Sequence, residues 1–179
     1  METLSVMIPE EDVLARVREM AEQITKDYQG KDLKLICILK GSVFFTTELA
    51  KRIDLPVKLD FMSVSSYGNG TESTGRIRIV KDLDENIRDE HVLVIEDIID
   101  SGRTLSFLMD MLKNRQPASL ALCTLLDKPS RRVTDVRVDY TGFRIPDEFV
   151  VGFGLDYAQK YRALPYIGKI SITQDGENE

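Results

Sequence analysis

One histidine and two cysteines are the only imidazole and thiolate ligands that 179 residues offer to a zinc site. Cys37 and Cys123 stand in the apolar runs Leu-Ile-Cys-Ile-Leu and Leu-Ala-Leu-Cys-Thr-Leu-Leu, and no Cys-x-x-Cys is present. His91 cannot complete a metal site with them. Buried free thiols in a reducing cytosol are the simplest account. Long apolar runs are missing too: nothing approaches the roughly 20 residues of a membrane span. The opening Met-Glu-Thr-Leu-Ser lacks the basic and then apolar pattern of a secretory signal. The expectation is a cytoplasmic protein with no membrane partner. Lys and Arg number 24 against 30 Asp and Glu, a net charge of −6, which argues against a nucleic-acid partner held by charge alone. No internal repeat or low-complexity segment is found.

What remains is an ordinary globular composition, 42% hydrophobic and 30% charged, over a length that suits one domain, residues 1–179. Val13, Val17, Met20 and Ile24 recur at helical steps, so residues 10–28 read as a helix, with Gly30 just beyond its end. Residues 33–39, 92–95 and 120–126 are short apolar runs, read as buried strands. Residues 42–52, capped by Ser42, and 104–114, with Leu105, Leu108 and Leu112 on one face, read as helices. Residues 57–64, 76–83, 140–143, 149–153 and 167–172 are strand-like. Residues 65–75 read as a loop, 86–90 as a polar turn and 174–179 as a frayed tail. Apolar strands interleaved with helices give an α/β fold with a mostly parallel sheet. Ligands in such sheets bind at the carboxyl ends of the strands. Lys40-Gly41, Glu96-Asp97 and Asp127-Lys128 each follow a strand directly and so share one edge.

The stretch from His91 to Leu105, His-Val-Leu-Val-Ile-Glu-Asp-Ile-Ile-Asp-Ser-Gly-Arg-Thr-Leu, carries most of the chemistry. A buried strand gives way to two carboxylates, then a Ser/Gly/Thr loop, then a helix. Gly102 lets backbone approach a ligand closely. N–H groups at the helix start, with the hydroxyls of Ser101 and Thr104, make a phosphate cradle. Carboxylates beside such a cradle are odd, because like charges repel. They make sense if Glu96 and Asp97 face sugar hydroxyls or a divalent metal. A sugar phosphate with Mg²⁺ meets all of these demands. No Gly-Lys pair of a Walker A loop stands here, and no Gly-x-Gly-x-x-Gly opens a helix.

The string Glu-Asp-Ile-Ile-Asp-Ser-Gly-Arg-Thr, residues 96–104, resembles the phosphoribosyl pyrophosphate (PRPP) signature of type I phosphoribosyltransferases. Leu39-Lys40-Gly41-Ser42 looks like the pyrophosphate loop of the 6-oxopurine enzymes, and Ser66-Tyr67 like their lid. Leu126-Asp127-Lys128 looks like their purine-recognition strand end. Phe149-Val-Val-Gly-Phe-Gly-Leu-Asp156-Tyr157, with Arg162, looks like their hood. Taken in this order, over residues 5–172, the chain resembles the hypoxanthine-guanine phosphoribosyltransferase family.

The resemblance implies the type I phosphoribosyltransferase fold, with a small hood formed by the N-terminal segment and about 140–172. It implies transfer of the phosphoribosyl group of PRPP to hypoxanthine or guanine, with Mg²⁺ as cofactor, in a homodimer or homotetramer. Asp100 would be the general base for the proton at purine N7. Lys40, Gly41 and Arg162 would hold pyrophosphate, and Ser101, Gly102, Arg103 and Thr104 the 5′-phosphate. Glu96 and Asp97 would face the ribose hydroxyls and the metal's water shell, and Asp156 would bear on the metal. Lys128 would donate to the purine 6-oxygen, Phe149 would stack on the ring, and Val150 would line the base. Ser66 and Tyr67, within the loop 65–75, would close to exclude water. The Leu39–Lys40 peptide would be cis in at least one ligand state. The bland alternative for residues 128–132 is Lys128 as a solvated lysine, with Arg131 and Arg132 as surface charge. Two other readings stay open. One is a related enzyme using xanthine or another base. The other is a PRPP-sensing regulator of RNA or DNA, against which the net charge weighs.

Overall fold

In the computed structural model, which describes residues 2–67 and 76–172, the central strands are apolar on both faces because helices cover both. β1 (Glu2–Ile8) leads into α1 (Glu10–Asp27). Glu10, Glu11 and Asp12 fill the first turn of α1 and Lys26 the last, each complementing the helix dipole. The periodic stripe faces the core: Val13, Val17, Met20, Ala21 and Ile24 are buried. There follow β2 (Leu33–Ile38), α2 (Val43–Ala50), β3 (Val57–Tyr67), β4 (Arg76–Lys81), β5 (His91–Ile99) and α3 (Arg103–Lys113). Then come β6 (Ser119–Asp127), a 3₁₀ turn at Pro129–Arg131, β7 (Tyr140–Arg144), β8 (Val150–Val151) and β9 (Ile167–Ile172).

Six strands form the main sheet in the order β4-β3-β2-β5-β6-β7. Every neighbouring pair is parallel except β3 with β4. Side chains alternate between its faces. Leu33, Leu35, Leu93 and Ile95 pack in one cluster with α1 and α2. Ile36, Ile38, Val92 and Val94 pack in another with Leu105, Leu108 and Leu112 of α3. A second, antiparallel sheet, β1-β9-β8, reaches the first cluster through Val150, Phe153, Leu155 and Ile167.

Several elements differ from expectation, each for a local reason. β5 continues past Ile95 to Ile99, because Glu96, Ile98 and Ile99 pair with Thr124, Leu126 and Asp127 of β6. The loop therefore begins at Asp100. β3 continues through residues 65–67 by pairing Ser65, Ser66 and Tyr67 with Arg78, Ile77 and Arg76. The rest of the expected loop, 68–75, lies outside the described residues, as does the tail. The hood expected from about 140 starts later, because Tyr140–Arg144 is β7 of the main sheet. Arg16 of α1 donates to the β7 carbonyls of Thr141 at 2.8 Å and Gly142 at 3.0 Å, which covers that edge. The expected strand 149–153 shrinks to β8, since positive φ at Gly152, Phe153 and Gly154 turns the chain. Ser42 does not cap α2; its hydroxyl donates back to Ile38 O at 2.6 Å.

Among the described residues no helix is long and apolar enough to cross a membrane. Cys37 and Cys123 are buried and free, and burial pushes the Cys123 thiol up, which makes it inert.

Candidate active site

Parallel register brings Lys40-Gly41 after β2, Glu96-Asp97 in β5 and Asp127-Lys128 at the end of β6 to one edge of the sheet. The Leu39–Lys40 peptide is cis, and Lys40 is exposed. Gly41 has no room for a side chain: a Cβ there would lie 1.6 Å from Asp97 Oδ2. Gly154, at φ +105, packs on its other side, where a Cβ would lie 2.0 Å from Gly41 O. The loop after β2 is thus held between the Asp97 carboxylate and the turn after β8. Close to that turn, Arg162 donates to Gly154 O and, at 2.6 Å, to Asp156 Oδ1. Asp156 Oδ2 accepts from the Gln159 N–H at 2.8 Å.

Burial pushes Glu96 well above the usual carboxylate range, and the neighbouring Asp97 carboxylate adds to it. The Asp97 N–H donates to Glu96 Oε1 at 3.1 Å, and Asp97 Oδ1 accepts from the Ile98 N–H at 2.7 Å. The expected metal set of Glu96, Asp97 and Asp156 does not converge. Among the described residues no three Asp, Glu, His or Cys side chains form a metal-holding group, and Asp156 is engaged by Arg162. A crowded pair of oxygen donors still fits Mg²⁺, which takes one or two carboxylates and fills its shell with water and substrate phosphates.

Beside this pair the phosphate loop encloses a cavity of about 160 Å³, lined by Glu96, Asp100, Ser101, Gly102 and Thr104 among others. At roughly 30 Å³ per water, that is room for a phosphate group. Gly102, at φ +82, opens α3, and the Arg103 N–H donates to Ser101 Oγ at 3.4 Å. The Arg103 side chain is exposed and is not part of the cavity lining, which leaves its main-chain N–H as the group nearest the loop. The back of the loop is closed by residues 133 and 134, whose N–H groups donate to Ser101 O at 3.0 and 3.1 Å.

On the base side, Lys128 is 8% exposed. Its Nζ makes no hydrogen bond among the described residues, and its ion partner, Asp147 Oδ1, stands 3.9 Å away. Phe149 is half-exposed, with its ring edge-to-face against Tyr157 at 5.5 Å. Val150 is buried in the core cluster, so it can offer a base its main chain rather than its side chain. Asp100 Oδ1 accepts from Arg131 Nε at 2.9 Å. Arg132 donates to the Asp127 carboxylate and, at 3.3 Å, to Asp100 O. Both arginines, to which the sequence assigned no part in the site, therefore touch its residues. Their signal was their position, in a proline-started turn directly after Lys128. Asp147 gave no such signal, because only the folded chain brings it here. Ser66 and Tyr67 close β3.

The chain matches the family described as "Phosphoribosyl transferase domain" over residues 9–158. It is 52% identical over 175 residues to a hypoxanthine phosphoribosyltransferase of Salmonella typhimurium, covering 97% of this chain and 98% of that one. It is 52% identical over 163 residues to a hypoxanthine-guanine phosphoribosyltransferase of Streptococcus thermophilus, covering 91% of each. The crystal structure of a hypoxanthine phosphoribosyltransferase from Staphylococcus aureus superposes with a TM-score of 0.90 at 51% identity, over 93% of this chain and 91% of that one.

Proposed function

As this chain belongs to the phosphoribosyltransferase family, we propose that it transfers the 5-phosphoribosyl group of PRPP to hypoxanthine or guanine, giving IMP or GMP and pyrophosphate. The observation that carries the base assignment is Lys128. Its side chain is largely buried and its ammonium has no hydrogen-bond acceptor among the described residues, so a ligand acceptor there would be favourable. Lysine only donates, so its partner is a carbonyl such as the purine 6-oxygen and not the amino group of adenine. Phe149 offers its open ring face to the base, and the Val150 main chain lines the pocket.

In the reaction the bond from N9 to ribose C1 forms as the bond from C1 to pyrophosphate breaks. The ribose carries positive charge in between, as in glycoside hydrolysis. Asp100 receives the proton from N7. Ser101, Gly102 and Thr104, with the Arg103 N–H, hold the 5′-phosphate in the cavity at the start of α3. Lys40, the Gly41 main chain and Arg162 hold pyrophosphate, while Glu96 and Asp97 accept from the ribose hydroxyls. When bound beside Glu96 and Asp97, Mg²⁺ supplies charge neutralisation on pyrophosphate. Asp156 acts there by orienting Arg162. Ser66 and Tyr67, with the rest of 65–75, close over the site and keep water from PRPP. The enzyme works in the cytoplasm as a homodimer or homotetramer.

The test is direct. The protein is incubated with Mg²⁺, PRPP and each of hypoxanthine, guanine, xanthine and adenine, and pyrophosphate release is measured. Release with hypoxanthine and guanine is expected; release with adenine alone, or with none, overturns the reading.

A further inference from the structure

Arg131 spans the gap between the two polar groups that would grip the base. Its Nε lies 2.9 Å from Asp100 Oδ1, and its Nη1 lies 3.4 Å from Asp147 Oδ2. Asp147 Oδ1 in turn faces Lys128 Nζ at 3.9 Å. Asp100, Arg131, Asp147 and Lys128 therefore form a row of alternating charge. Its members come from three places: the loop after β5, the turn after β6, and the segment between β7 and β8. We propose that Arg131 is a positioning residue for the transfer reaction, fixing the carboxylate of Asp100 and tying it through Asp147 to Lys128. This rests on the function proposed above.

The physical case has three parts. A general base must stay within about 2.6–3.2 Å of the proton it takes, and a carboxylate on a loop is free to turn. A carboxylate has two oxygens, so Arg131 can hold Oδ1 while Oδ2, which accepts nothing among the described residues, is left for the N7 proton. A guanidinium is a rigid planar fork, and donating one nitrogen to each of two acids fixes the angle between them. The purine 6-oxygen and N7 lie side by side on one edge of the base. A base that meets Lys128 and Asp100 thus touches both ends of the same row. A purely structural role is a poor account, because Arg131, Asp100 and Asp147 have side chains 53%, 45% and 50% exposed. Ion pairs that exposed contribute little to stability.

A double-mutant cycle with Asp100→Asn decides the matter. Misplacing a reacting group by an ångström can cost about a hundredfold; with one of two constraints lost, we expect Arg131→Ala to lower kcat about tenfold. The KM for PRPP and the melting temperature should hold. In the Asp100→Asn background the same change should matter by less than about twofold, because the group being positioned is gone. Arg137→Ala, which breaks an exposed pair with Asp139 at 3.0 Å, serves as the control. Equal losses of kcat in both backgrounds, no loss in either, or a matching fall in melting temperature overturns the proposal for Arg131. If the parent protein turns over no base at all, the underlying function falls with it. If the parent turns over hypoxanthine and the cycle is additive, only the role of Arg131 falls.

Discussion

Replacing Lys128 by Met separates what this residue does for the fold from what it does for a base. The substitution keeps an unbranched stem of similar volume and removes the charge. The residue is 8% exposed, and its ammonium faces one carboxylate at 3.9 Å, beyond hydrogen-bond range. Removing a poorly compensated buried charge is often neutral or stabilising. Asp147 is half-exposed and stays hydrated when its partner goes. The melting temperature of the ligand-free variant should therefore equal or exceed that of the parent. Catalysis should move the other way. A hydrogen bond from a charged donor contributes about 1.5–3 kcal/mol. At about 1.4 kcal/mol per tenfold, kcat/KM for hypoxanthine should fall roughly 10- to 150-fold. Discrimination against adenine, of about 10⁴–10⁵ in a site built around a required hydrogen bond, should narrow. The assays are thermal denaturation without ligand and initial rates of pyrophosphate release with both bases. A clear fall in melting temperature with kcat/KM for hypoxanthine intact would make Lys128 a structural lysine and sink the base assignment.

Asp100→Asn should lower kcat by about 10²–10⁴ with little change in melting temperature, since the amide oxygen still accepts from Arg131; steady-state rates and calorimetry check this. Gly154→Ala should cost about 1–3 kcal/mol of stability, read by denaturation, and weaken PRPP binding, because its Cβ would lie 2.0 Å from Gly41 O at a φ that side chains avoid. Unchanged values on both counts would mean the turn is free to move. Lys34, buried with Glu85 and Glu90 each at 2.9 Å, gives a pH signature. Burial lowers the Lys34 pKa, but Glu90 and Glu85 outweigh it and hold it above 10.5. Burial raises Glu90, but Lys34 and Lys58 outweigh that and hold it below 4.5. The Lys34 contribution is thus full below 10.5 and lost as pH rises through its folded value; that of Glu90 is full above 4.5 and lost as pH falls through its folded value. Lys34→Met should depress the melting temperature across the neutral range, and the gap to the parent should shrink at both extremes; a gap that is constant with pH refutes this account.

The parts of the fold that could be read in the sequence are those set by local period. The stripe of α1 and the apolar run of β5 are one-dimensional signals of burial, and both are buried. The common edge of Lys40, Glu96 and Lys128 was equally accessible, because a parallel sheet places strand ends side by side. What could not be read depends on partners distant in sequence. Glu96 and Asp97 look like loop residues, yet cross-strand pairing with β6 draws β5 through them. Residues 140–144 look like the start of the hood, but their hydrogen bonds go to β6. Arg131 finds Asp100 31 positions back and Asp147 16 positions on, separations at which no helical or strand period operates. The side chain of Val150 is taken by the core, which a two-residue strand does not announce.

The meeting of Gly41 and Gly154 bears on how such a site can change over generations. Main chain meets main chain there, so the join between the second sheet and the pyrophosphate loop contains no side chain to vary. Around it, Phe149 and Tyr157 present side chains whose exchange would shift the choice of base. The two glycines are not exchangeable: a Cβ at Gly154 would lie 2.0 Å from Gly41 O and move the turn off the loop, and one at Gly41 would lie 1.6 Å from Asp97 Oδ2 and displace that carboxylate. Selection for a new base therefore has adjustable residues set around a fixed point, and variants recovered from a library randomised over this region should diversify at the two aromatic side chains while returning glycine at both positions.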